Sequence, residues 1–159
     1  MTDIALIDVE ERPTVGIRRR VPVAELPAFF DEVFDAVAAA VERAGAHLGG
    51  APFARYRGAP TDVVDVEAGF PLTEPWSGGG DLVAGSLPSA RAVEAIHRGG
   101  YDALSDTYAE LERWTGEHDV HVRDESWELY EAGPQSDPDP ATWRTRIVWP
   151  VATPELDAG

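Results

Sequence analysis

Apolar residues recur at helical spacing in two long segments and alternate with polar residues in several shorter ones. Apolar positions three or four residues apart predict amphipathic helices over residues 26–44 and 101–117. Glycines follow the first helix and precede the second, as helix boundaries favour. The shorter segments predict strands over residues 4–9, 14–20, 52–57, 63–70, 82–87, 90–97, 125–131 and 143–151. Together these elements indicate an α+β fold.

The order strand, helix, hairpin occurs twice along the chain. The first repeat covers about residues 12–70 and the second about residues 82–151, with a linker rich in proline and glycine over residues 71–81. An aromatic residue followed three positions later by tyrosine lies at matching places in the two repeats. We therefore expect a single domain over residues 1–159 in which tandem repeats form a mostly antiparallel sheet. Two helices would cover one face, leaving a ligand groove between the repeats on the other.

The strand over residues 125–131 carries the most informative side chains. Alternation places Trp127 and Leu129 on one face, which we interpret as core, and Glu128 and Tyr130 on the other. A carboxylate is expensive to bury without a partner. Three interpretations follow: the face of Glu128 is solvated, Glu128 pairs with an arginine of the next strand (residues 143–151), or this face binds a ligand.

Composition narrows the classes of function. The chain has 29 acidic and 13 basic residues, a formal charge of -16, which disfavours direct binding to nucleic acid and suits either solubility or attraction of cationic ligands. Absence of cysteine excludes disulfides and thiol nucleophiles, and the four histidines do not form a metal motif. We predict no metal and no cofactor. No signal peptide or membrane-spanning run is visible, so we expect a cytoplasmic protein.

The doubled plan, the strand Trp127-Glu128-Leu129-Tyr130 and the strand over residues 143–151 resemble the GyrI-like effector-binding domain, over about residues 12–151. In that family the domain is the drug-sensing half of bacterial multidrug-responsive regulators, or stands alone. The resemblance implies binding of bulky aromatic, often cationic, compounds in a groove between the repeats. Because the chain has no room for a helix-turn-helix, we expect a free-standing member.

The resemblance also indicates site residues. Glu128 matches the key glutamate of the family, and Tyr130 and Tyr56 match groove aromatics by strand position. Further ligand-binding candidates are aromatic residues in the linker, at the start of the second helix and in the last strand: Trp76, Tyr101 and Trp149.

Two functions remain open from the sequence. One is a binding protein for bulky hydrophobic, aromatic, cationic molecules. The other, implied by some free-standing relatives, is a hydrolase of cyclopropane-bearing or related electrophilic natural products, with Glu128 and Tyr130 as catalytic residues. A protein partner such as a topoisomerase is a third, weaker alternative.

Overall fold

The computed structural model describes residues 3–58, 62–76, 79, 82–133 and 138–152. These residues form eight strands and two α-helices in a mostly antiparallel sheet, which confirms the predicted α+β class. The strands are β1 (Asp3–Val9), β2 (Arg12–Pro22), β3 (Phe53–Arg57), β4 (Val63–Pro71), β5 (Val83–Leu87), β6 (Ala90–Arg98), β7 (Glu125–Ala132) and β8 (Arg144–Pro150). The helices are α1 (Leu26–Arg43) and α2 (Leu104–Glu117).

The chain divides into two compact units. One, here called the continuous unit, is Glu10–Ser89, and the other, the split unit, joins Met1–Val9 to Ala90–Gly159. The continuous unit contains strands in the order β3-β4-β2-β5 and the split unit strands in the order β1-β6-β8-β7. The assignment of residues 1–159 to one domain stays a prediction.

Two short strands, β1 and β5, do not pair with the strands next to them in sequence. β1 pairs with β6, and β5 pairs with β2. Residues 82–87 were expected to open the second repeat, yet β5 lies in the continuous unit, where Leu87 is buried opposite Arg12. Alternation within a strand does not encode which strand will be its neighbour, so the sequence could not reveal the partner of β5.

In the continuous unit, α1 buries one apolar stripe against β2 and β4. Phe34 contacts Phe70 of β4 edge-on, with ring centroids 5.9 Å apart. Pro27 lies in the first turn, where no backbone N–H is needed, and Gly45 follows the last turn with a φ of 74°. The helix therefore begins and ends where the sequence predicts, to within one residue. The buried positions of the stripe are Phe29, Val33, Phe34, Val37 and Val41.

In the split unit, α2 packs on the sheet through Leu111. This residue is fully buried in a cluster with Val93 and Ala95 of β6 and Ile147 of β8. The α-helix was predicted to begin at residue 101, but it begins at Leu104, because residues Tyr101–Ala103 form a short 3₁₀ turn before it. Neither α1 nor α2, the two α-helices of the described residues, has the length and apolarity to cross a membrane.

Candidate functional site

Glu128 is a buried carboxylate in the strand β7. Only 4% of its surface is exposed, so a solvated face is the wrong interpretation for this residue. The neighbouring Trp127 is buried, as predicted for a core residue. A buried carboxylate needs a compensating interaction, and the surroundings of Glu128 decide what that interaction is.

Arginines of β8 do not supply that interaction. Arg146 contacts Glu131 and Glu94, with N–O distances of 2.9 Å and 2.6 Å. Arg144 contacts Glu131 as well, at 3.0 Å. Arg146 lies opposite Leu129, on the other face of the strand from Glu128. Pairing of Glu128 with an arginine of this strand, one of the three interpretations of the sequence, is therefore wrong.

Glu128 lies on the face of the sheet that α2 covers. It is directly opposite Ile147 on β8, and Ile147 is opposite Ala95 on β6. Opposite residues in antiparallel strands share a face, and both of these residues pack with Leu111 of α2. The expectation that Glu128 faces away from the helices is wrong, because strand alternation shows which residues share a face and not which face a helix covers.

Tyr130 provides the hydrogen bond that Glu128 receives. Its hydroxyl donates to Oε1 of Glu128 at 2.7 Å. Burial raises the pKa of Glu128 to about 7, and the Tyr130 bond only partly opposes this shift. None of the described basic residues forms an ion pair with it. At neutral pH the carboxyl group can therefore hold or release a proton, and in its ionised form it has an uncompensated charge.

Aromatic rings lie beside the hydrogen-bonded pair Glu128 and Tyr130. Tyr101, from the turn before α2, meets Tyr130 edge-on with centroids 6.0 Å apart and Trp143 at 5.0 Å. Tyr101 is 37% exposed, and its pKa is raised by burial and by the charge of Glu128. We call Glu128, Tyr130, Tyr101 and Trp143 the Glu128 site. It combines a buried acid with an aromatic wall that partly reaches solvent.

A row of polar side chains continues from Tyr130 across the sheet. Tyr130 is directly opposite Thr145 on β8, and Thr145 is opposite His97 on β6. His97 is buried and uses both ring nitrogens, with Nδ1 2.7 Å from Thr107 Oγ1 and Nε2 2.9 Å from the Gly100 carbonyl. Thr145 is fully buried, and its hydroxyl has no hydrogen-bond partner among the described residues. We call Tyr130, Thr145 and His97 the polar row.

The other predicted aromatic residues lie elsewhere. Trp149 shares the face of Glu128 but stacks on Tyr108, with centroids 6.1 Å apart, as part of the packing around the core of the split unit. Tyr56 and Trp76 are half-buried residues of the continuous unit, and Tyr56 lies opposite Val66. A ligand role for these three residues remains a prediction.

Sequence reasoning missed Trp143 and the polar row beyond Tyr130. Tyr130 lies opposite Thr145 in the hairpin of β7 and β8, but a bulge between Tyr130 and Ala132 shifts the register, so counting residues back from the loop does not predict this pair. No sequence signal indicated that His97 faces α2.

No group of three or more histidine or acidic residues is arranged to hold a metal ion within the described ranges.

Comparisons with known proteins give one family and one fold. A family model described as the GyrI-like small molecule binding domain matches residues 2–152. No curated protein matches the chain.

Several solved structures share the fold. The EcmrR chain in the cryo-EM structure of an EcmrR–DNA complex matches this chain with a TM-score of 0.84 and 24% sequence identity. The match covers 96% of this chain and 58% of the EcmrR chain. The crystal structure of the EcmrR C-terminal domain gives 0.81 at 22% identity, covering 96% and 99%. SAV2435 bound to tetraphenylphosphonium gives 0.70 at 13% identity, covering 97% and 96%. The chain therefore spans little more than half of the EcmrR chain in the DNA complex.

Proposed function

The chain belongs to the GyrI-like family of small-molecule-binding domains, and we propose that it binds bulky, hydrophobic, aromatic cations at the Glu128 site. The observation that carries this proposal is the burial of Glu128 beside aromatic rings, with no cation of the described protein paired to it. A ligand that brings a positive charge and aromatic surface would supply what the site lacks.

Electrostatics favour a cation over a neutral ligand. Burial disfavours the ionised form of Glu128, so a ligand charge placed near it restores that form and gains its attraction. Contact of the cation with Tyr101 or Tyr130 adds about 0.5–2 kcal/mol. The formal charge of -16 further concentrates cations around the molecule.

The structural neighbours support the choice of ligand class and probe. SAV2435, which shares the fold, is bound to tetraphenylphosphonium, a bulky aromatic cation. EcmrR is found in a complex with DNA, but the acidic charge of this chain argues against direct contact with nucleic acid. Multidrug binding by a cytoplasmic protein, and a role in drug resistance, form the finer version of the proposal and rest on the family resemblance.

Replacement of Glu128 by glutamine tests the proposal. Binding of tetraphenylphosphonium, followed by quenching of tryptophan fluorescence and by calorimetry at pH 8, should weaken roughly 10- to 100-fold in Glu128→Gln because the amide keeps the shape and removes the charge. Glu112→Gln removes the same charge from an exposed position on α2 and should bind like wild type. Equal affinity in wild type and Glu128→Gln, or no binding by wild type, would contradict the proposal.

A second function is favoured by one observation, the carboxyl group with a pKa of about 7 bonded to a phenol. Such a group can act as a general base or acid near neutral pH. In ring hydrolysis, Glu128 would take a proton from water as the water oxygen bonds to one carbon of a cyclopropane and the C–C bond to the next carbon breaks. Tyr130 would protonate that second carbon, and Glu128 would then return its proton to the Tyr130 oxygen across their hydrogen bond.

Mass spectrometry after incubation with a cyclopropane-bearing alkylator separates the two functions. A hydrated, ring-opened product that disappears in Glu128→Gln supports hydrolysis. Unchanged compound that elutes with the protein supports binding alone. A topoisomerase partner has no specific support from the geometry and stays a sequence-based alternative.

A further inference from the structure

We propose that the Glu128 site selects cations that carry N–H groups, and that the Thr145 hydroxyl is the second hydrogen-bond acceptor of the site. This inference rests on the proposed binding function and names its preferred ligands: protonated amines and amidines on aromatic rings, rather than fully substituted phosphonium or ammonium ions. The unpaired, fully buried hydroxyl of Thr145 beside Tyr130 is the observation that carries it.

Buried polar side chains are concentrated at this place. Of the six buried polar residues among the described ones, four belong to the split unit and surround the junction of its sheet with α2. Because buried polar groups are normally hydrogen-bonded, such a concentration around one unpaired hydroxyl indicates a built site rather than ordinary packing. The four are His97, Thr107, Glu128 and Thr145.

The two residues that flank Thr145 in the polar row, Tyr130 and His97, already donate their side-chain hydrogens to other acceptors. The Tyr130 hydroxyl donates to Glu128. Nε2 of His97 must donate to the Gly100 carbonyl, since a carbonyl only accepts, and in the neutral imidazole Nδ1 then accepts from the Thr107 hydroxyl. Neither flanking residue of the polar row therefore offers a hydrogen to Thr145. An N–H group of a ligand can, once binding displaces the side chains that cover this fully buried hydroxyl.

Glu128 offers a second acceptor on the same face. Its Oε1 receives the Tyr130 bond, and its other carboxylate oxygen, Oε2, is a further acceptor. Thr145 lies directly opposite Tyr130, two positions from Glu128 along the face, and such diagonal neighbours in a sheet are about 7–8 Å apart. One cation with two N–H groups can bridge the two acceptors. A quaternary cation can satisfy only the charge of Glu128.

A pair of matched ligands and an isosteric substitution test the inference. Protonated 9-aminoacridine and 10-methylacridinium are both planar three-ring cations, and only the first carries N–H groups. Thr145→Val replaces the hydroxyl by a methyl group. We expect it to weaken binding of 9-aminoacridine up to roughly tenfold, as loss of one hydrogen bond predicts, and to leave binding of 10-methylacridinium unchanged.

Two further variants serve as controls. Thr145→Ser keeps the hydroxyl and should keep the preference for 9-aminoacridine. Thr14→Val removes the other buried, unpaired threonine hydroxyl of the described residues, which lies on β2 in the continuous unit, and should behave like wild type. Circular dichroism and thermal unfolding of each variant establish that it is folded.

Two results would overturn the inference and leave the proposed function standing: equal loss of both acridines in Thr145→Val, or no loss of either. If wild type binds neither acridine nor tetraphenylphosphonium, the proposed function fails, and this inference fails with it. A selective loss of 9-aminoacridine in Thr145→Val that Thr145→Ser restores supports the assignment of the hydroxyl as an acceptor.

Discussion

The carboxyl group of Glu128 holds its proton more tightly in the folded chain than in the unfolded one. Its ordinary pKa is 4.5, and burial raises it to about 7. The folded state is therefore favoured most below about pH 4.5, and this advantage is lost as the pH rises through 7. The residue that we propose for ligand binding thus makes the fold less stable at physiological pH.

Glu128→Gln should remove this pH dependence. Because the amide is neutral at all pH values, wild type should lose roughly 2–3 kcal/mol of unfolding free energy relative to the variant between pH 5 and pH 8. Urea denaturation at the two pH values measures the difference. In Glu112→Gln, whose side chain is exposed, the change should follow that of wild type. Parallel curves for wild type and Glu128→Gln would rule out the raised pKa.

At the scale of residues, the sequence predicted part of the site. A period of two placed Glu128 and Tyr130 on one face, and the hydrogen bond between them agrees. It could not place Thr145 beside them, since that contact depends on the register between β7 and β8, which the alternation of residues in each strand does not encode. It also left Arg146 as a partner for Glu128, whereas Arg146 lies on the opposite face with Glu94 and Glu131.

At the scale of elements, the pairing of β2 with β4 depends on two glycines that face each other. Gly16 is directly opposite Gly69. A Cβ added to Gly16 would lie 2.5 Å from the Ala68 carbonyl oxygen, and one added to Gly69 would collide with the Val15 carbonyl oxygen. These contacts involve backbone atoms, so no side-chain movement can relieve them.

Gly69→Ala should therefore destabilise the fold by about 1–3 kcal/mol, the usual range for forced overpacking. Gly116→Ala is the matched control, because a Cβ there meets nothing within 4 Å and the residue lies in α2. That control should stabilise the protein by about 0.5–1 kcal/mol, since alanine favours the helix. Chemical denaturation measures both. Equal effects of the two substitutions would contradict the close approach of β2 and β4.

The boundaries of elements were predictable because they depend on local chemistry. The strands predicted over residues 125–131 and 63–70 each end one residue before the observed strands β7 and β4. The neighbours of β1 and β5 were not predictable, because pairing between strands distant in sequence is decided by packing of the whole chain. The position of Glu128 on the helix-covered face was not predictable for the same reason, since it depends on where α2 packs.

At the scale of the whole molecule, charge should make stability depend on salt. The chain has 29 acidic and 13 basic residues, so its surface charges repel one another in the folded state, and salt screens this repulsion. Salt also weakens surface ion pairs such as Arg98–Asp3, but exposed pairs contribute little, so repulsion dominates. We expect the melting temperature to rise when sodium chloride is raised from about 20 to 200 mM. Over this range the Debye length falls from roughly 10–30 Å to below about 10 Å, so repulsion between surface charges is screened over shorter distances. A fall, measured by calorimetry, would show that ion pairs dominate.

The pairing of β1 with β6 also sets an order in time. Ile4 of β1 pairs with Ala95 of β6, about 90 residues later in the chain. At a synthesis rate of about 5–20 residues per second, β1 leaves the ribosome roughly 5–20 s before its partner exists. Over that interval the apolar run 4–7 is an unpaired strand, and Asp3 and Asp8 flank it with charge. Charge that flanks an apolar strand disfavours its association with other chains, so we expect these two aspartates to protect β1 until β6 has been made.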